Sequence, residues 1–166
     1  VILNLLLSVL LPAAHAVTIP SVSLMNKQAD ESRAETTTLA VDSEMVAPFI
    51  DGDVFFFIFD FHAVSASAVP DIKWTIQESV IGSTMSTTCH ATDAQGLDET
   101  IVMHGFGLAQ TAALTANTEA SIHCTGVIRI GVGTNIGFWW SQNTSNATAT
   151  TVEQDSVFLL FFIAHG

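Results

Sequence analysis

Residues 54–66 read VFFFIFDFHAVSA, the most apolar interior run of the chain. Phe55, Phe57, Phe59 and Phe61 recur at every second position, with Asp60 and His62 at the intervening parity. Side chains of an extended strand alternate between two faces, so this spacing sets four phenylalanines on one face of a β-strand. Phe56 and Ile58 add apolar groups to the opposite face, which predicts a strand covered on much of both sides.

The same alternation continues outward in both directions. Upstream, TTTLAVD (36–42) and MVAPFI (45–50) are β-like and lead into Asp51-Gly52-Asp53, which reads as a hairpin turn. Downstream, PDIKWTIQE (70–78) points Ile72, Trp74 and Ile76 one way and Lys73, Thr75 and Gln77 the other, as a half-buried strand does. Residues 79–99 are Ser/Thr-rich, with strand-like pieces and a loop near 93–98. TIVMHGFGLAQ (100–110), EASIHCTGVIRIGV (119–132), IGFWWSQ (136–142) and VFLLFFIAHG (157–166) supply further strands. In the second of these, Ile122, Cys124, Gly126, Ile128 and Ile130 share one parity and Val127 and Arg129 take the other. GLAQTAALTANTEA (107–120) reads as strand plus loop. Short strands separated by Gly and Ser/Thr punctuation predict an all-β chain, an antiparallel β-sandwich or jelly roll with an extended N-terminal arm. The sandwich is expected over 36–166 and the arm over 1–35.

Bulk composition agrees. The chain has 166 residues, 49% hydrophobic and only 12% charged, so Ser, Thr, Asn and Gln supply most of its polar surface. Four basic residues against sixteen acidic ones give a formal charge of −12, which repels phosphates and argues against direct nucleic-acid binding.

Residues 1–16, VILNLLLSVLLPAAHA, resemble a secretory h-region with an Ala14-His15-Ala16 end. With no basic flank ahead of the run, the reading favoured here is an arm. Ile2, Leu3, Leu5, Leu6, Leu7, Val9, Leu10 and Leu11 are then buried against a partner, because soluble monomers avoid such a patch. The run is too short to span a membrane, which takes about 20 residues. Residues 17–35 are polar and irregular, carrying Lys27, Asp30, Glu31, Arg33 and Glu35, and are expected to be a linker lying on a neighbour.

No catalytic signature emerges, and no cofactor or metal is expected. None of the six histidines forms His-x-x-x-His, and His62, His104 and His123 fall in expected strands as structural groups. Gly105-Phe106-Gly107 and Gly131-Val132-Gly133 open no helix and precede no Lys, so they read as strand bends rather than phosphate loops. Cys89 and Cys124, the only cysteines, are read as two buried free thiols, with one bridge as the alternative. Trp139-Trp140 offers candidate ligand-facing aromatics, against one Trp in the core and one half-exposed.

Three segments carry a resemblance: ADES (29–32) with TTTL (36–39), PDIKWTI (70–76) after a long aromatic strand, and WWSQNTSNATATTV (139–152) before a final apolar strand. Together they resemble small β-sandwich structural proteins of tailed phages, of the capsid decoration (cement) or head and tail fibre type. The resemblance covers residues 29–164. Glu153-Gln154-Asp155, the apolar arm and the two cysteines depart from it. It implies a virion structural protein on the capsid surface, a homotrimer bridging subunits of the major capsid protein through its arm. A fibre or receptor-binding module and a secreted surface glycoprotein are the alternatives. The two Asn-x-Ser/Thr sequons at Asn143 and Asn146 belong to that last reading, although a Thr/Asn-rich run generates them by composition alone.

Overall fold

The computed structural model describes residues 22–92 and 98–165, which form twelve strands in two antiparallel sheets. They are β1 (Val22–Asn26), β2 (Glu31–Arg33), β3 (Ala40–Phe49), β4 (Asp53–Ser65), β5 (Ile72–Glu78) and β6 (Thr84–Thr92), followed by β7 (Asp98–His104), β8 (Gln110–Ala112), β9 (Ala120–Arg129), β10 (Thr134–Gln142), β11 (Thr150–Val152) and β12 (Val157–His165). The larger sheet runs β1-β12-β4-β9-β6-β7, with β11 pairing both β4 and β2; the smaller runs β3-β10-β5-β8. Among the described residues the fold is an all-β sandwich of the jelly-roll type. Among the described residues no helix is long and apolar enough to cross a membrane.

The two sheets meet through the parity read in residues 54–66. Phe57, Phe59 and Phe61 are fully buried at the inner face of β4. Phe61 and Phe59 stack on Phe138 of β10, with ring centroids 4.4 and 4.8 Å apart, and Phe61 meets Trp74 of β5 at 5.5 Å. Ile72, Trp74 and Ile76 are buried on the facing sheet, as their alternation predicts, and Ile122, Cys124 and Ile128 line the inner face of β9. Burial of this aromatic centre supplies the main driving force, at about 25 cal/mol per Å² of apolar surface.

Three expectations are corrected. Cys89 and Cys124 form a disulfide rather than free thiols. They lie directly opposite each other on β6 and β9, with Cα atoms 4.0 Å apart, a register that parity along each strand does not reveal. Asp51-Gly52 is a turn but not a hairpin: β3 belongs to the smaller sheet and β4 to the larger, so the turn carries the chain across the sandwich. Gly52 takes φ 83°, a conformation open to glycine, and its N–H donates to Ile130 O at 3.0 Å.

Residues 22–33, expected in the linker, are strands of the larger sheet. β1 pairs with β12 and β2 with β11. Lys27, Glu31 and Arg33 are paired within the sandwich rather than solvated. Lys27 Nζ reaches Asp42 Oδ2 at 2.8 Å, with Glu31 and Glu44 carboxylates at 3.5 and 3.6 Å. Arg33 binds Glu31 and sits 4.1 Å over the Trp140 ring. The arm residues Ile2 to Leu11 lie outside the described residues, as does most of the loop near 93–98.

Candidate functional site: an uncharged outer face

Strand parity that buries one set of side chains presents the other on the outer face of the larger sheet. Hydrogen-bonded register aligns these outward residues in rows across six strands. The first row is Val22, Phe161, Phe56, Val127, Ser86 and His104. The second is Leu24, Leu159, Ile58, Thr125, Thr88 and Val102. Neither row contains Asp, Glu, Lys or Arg, in a chain with sixteen acidic residues.

The apolar part is concentrated toward β1, β12 and β4. Leu24 is 59% exposed and Val22 55%, and the Phe56 and Phe161 rings lie side by side with centroids 6.0 Å apart. Ile163, at the irregularity near the end of β12, is also exposed. Phe56 and Ile58 are half-buried, so the sequence reading of cover on both faces of β4 holds only in part. β1 is moreover an edge strand, and exposed apolar edges are surfaces that proteins normally cover or charge.

Polarity rises in the third row: Asn26, Val157, Asp60, His123, His90 and Thr100. His123 Nδ1 stands 3.9 Å from Asp60 Oδ2, and His90 Nδ1 is 3.3 Å from the Thr100 hydroxyl. One step further, His62 Nδ1 contacts Glu119 at the rim of a cavity of about 360 Å³ lined also by Asp30, Glu153 and Asp155. Partial burial raises the Glu153 carboxyl above its ordinary 4.5; the Glu119 and Asp30 carboxylates push the same way and His62 opposes them. Among the described residues no group of three or more His, Cys, Asp or Glu is placed to hold a metal ion.

The two tryptophans divide as parity requires. Trp140 is fully buried and donates its Nε1–H to Asp42 Oδ2 at 3.2 Å, which removes it as a ligand-facing group. Trp139 is half-buried on the opposite face of β10. Sequence reasoning placed Val127 outward but did not assemble the rows, because their composition depends on register between strands far apart in the chain.

No protein-family model matches this chain, and no curated protein matches it. Solved structures align with it weakly and at low identity. An Eiger TNF structure from S. frugiperda aligns with TM-score 0.45 and 9% identity over 89% of this chain and 94% of that one. TmCBM61 in complex with β-1,4-galactotriose aligns with TM-score 0.32 and 15% identity, covering 88% and 90%. Infectious bursal disease virus, Gx strain, aligns with TM-score 0.23 and 12% identity over 89% of this chain, which spans 37% of that one. Neither a role nor a functional residue is carried over from them.

Proposed function

We propose that this chain is a non-catalytic structural module that docks on a larger assembly through the two uncharged rows on the outer face of its larger sheet, and that it decorates a virion shell as a cement protein. The supporting observation is the pair of uncharged rows on that face. Depletion of charge with exposed aromatic and aliphatic side chains is the composition of an interface centre. Covering it removes apolar area from water at about 25 cal/mol per Å², less the cost of ordering side chains at the contact. The described residues begin at Val22, on the patch itself, and Ile2 to Leu11 are assigned to the same contact, across subunits of the major capsid protein. Closed symmetry, such as a homotrimer, would suit a single repeated patch. The acidic remainder keeps the outward surface soluble.

Sedimentation with purified shells tests this. The Val22→Lys/Leu24→Lys variant changes two exposed side chains, so the sandwich should melt as the wild type does. Shell binding should fall about tenfold or more, the equivalent of ~1.4 kcal/mol. Undiminished binding would overturn the assignment of the face.

A second reading has its own observation. The Cys89–Cys124 bridge is of a kind that forms in oxidising compartments and at cell or virion surfaces. It suits a secreted or cell-surface binding module, in which the same face meets a different partner, as well as it suits a virion surface. Recovery of the chain in the medium, free of particles, would select that reading.

A further inference from the structure

We infer that Asn143 is an acceptor for an N-linked oligosaccharide. Asn143-Thr144-Ser145 meets the Asn-x-Ser/Thr requirement, and all three residues are exposed in the loop between β10 and β11. The backbone of this loop is anchored. Asn143 N–H donates to Pro70 O at 2.9 Å and Thr144 N–H to the same oxygen at 3.1 Å. The Asn143 carboxamide and the Ser145 hydroxyl, by contrast, make no hydrogen bond among the described residues. A sugar on Asn143 therefore displaces nothing.

The neighbouring sequon differs in exposure and in the role of its side-chain oxygen, while its Nδ2, like that of Asn143, makes no hydrogen bond among the described residues. Asn146 is half-buried, its Oδ1 accepts Thr148 N–H at 2.8 Å, and its N–H donates to Gln142 Oε1 at 3.0 Å. Its carbonyl accepts Glu35 N–H at 2.9 Å. The Asn146 side chain is thus part of the scaffold that holds the loop, while the Asn143 side chain stands free of it. The composition of the run accounts for having two sequons, but not for this division between them.

The disulfide is the independent observation. A chain that acquires the Cys89–Cys124 bridge in an oxidising secretory lumen passes through the compartment where N-linked sugars are transferred. The Asn143 Nδ2 would attack the anomeric carbon of a polyprenyl-diphosphate-linked oligosaccharide. The new bond is C–N; the C–O bond to the diphosphate breaks, the lipid diphosphate leaves with the electron pair, and the amide gives one proton to a base of the transferase. No oxidant or reductant is consumed. The assignment rests on the second, secretory reading given above, because a chain assembled on shells outside a secretory lumen never meets the transferase.

Intact mass of the full chain, expressed through a eukaryotic secretory pathway, tests it before and after enzymatic removal of N-glycans. Ser145→Ala and Thr148→Ala each delete one sequon without touching a hydrogen bond described above. The expected result is a glycan on the wild type that Ser145→Ala removes and Thr148→Ala leaves in place. A disulfide-bonded wild type at bare polypeptide mass would overturn the inference, as would a Ser145→Ala chain with undiminished glycan mass.

Discussion

Lys27 Nζ lies 2.8 Å from Asp42 Oδ2, and both side chains are closed off from solvent. The same carboxylate accepts the Trp140 Nε1–H, so one charged pair pins the first strand of the larger sheet to the core of the smaller one. Removing one partner of a buried pair leaves the other charge unpaired, which costs about 3–5 kcal/mol. Lys27→Met should lower the urea midpoint accordingly. Adding Asp42→Asn should recover part of the loss, because Asn removes the stranded charge and keeps an acceptor for Trp140.

The Cys89–Cys124 bridge joins positions 35 residues apart. Closing a loop of that length stabilises mainly by restricting the unfolded chain, typically by about 2–4 kcal/mol. The Cys89→Ala/Cys124→Ala double variant should therefore melt well below the wild type. Equal melting temperatures for the two under non-reducing conditions would refute the pairing.

Glu153 predicts a pH dependence. Its folded-state pKa is raised above 4.5, so the native chain holds more protons than the unfolded chain in the window just above that value. Stability from this group is then present below 4.5 and lost as pH rises through the folded value. Glu153→Gln should be more stable than the wild type at neutral pH and equal to it in acid. Thermal melts across that range check both halves of the prediction.

Gly126, two residues beyond Cys124 on β9, leaves no room for a side chain. A Cβ there would stand 2.4 Å from Ser86 O and 2.8 Å from Phe57 Cε1, and a backbone oxygen cannot swing away as a side-chain end does. Gly126→Ala should cost about 1–3 kcal/mol by overpacking, read as a lowered denaturation midpoint.

Alternation along single strands was legible from sequence: Phe57, Phe59 and Phe61, then Ile72, Trp74 and Ile76, and the Ile122–Ile128 parity all face the core as their spacing requires. Relations between strands were not. The cysteines each read as a small buried hydrophobe, and only the pairing of β6 with β9 brings them opposite each other. Asp51-Gly52 carries turn chemistry, but nothing local states that the next strand joins a different sheet. Residues 22–33 looked like linker because Lys27, Glu31 and Arg33 are charged, and charges paired in the fold have the same composition as charges in water. The outer face was hidden for a related reason: Phe56 and Leu24 meet only through β12, more than a hundred residues along the chain.

The docking assignment is tested most directly by locating this chain in a reconstruction of purified particles by electron cryomicroscopy. Docking through this face requires density on the shell exterior at lattice stoichiometry, with Val22, Leu24 and Phe56 turned toward shell subunits. A particle-bound chain whose Val22–Leu24 face points to solvent, or particles that lack the chain, would contradict it.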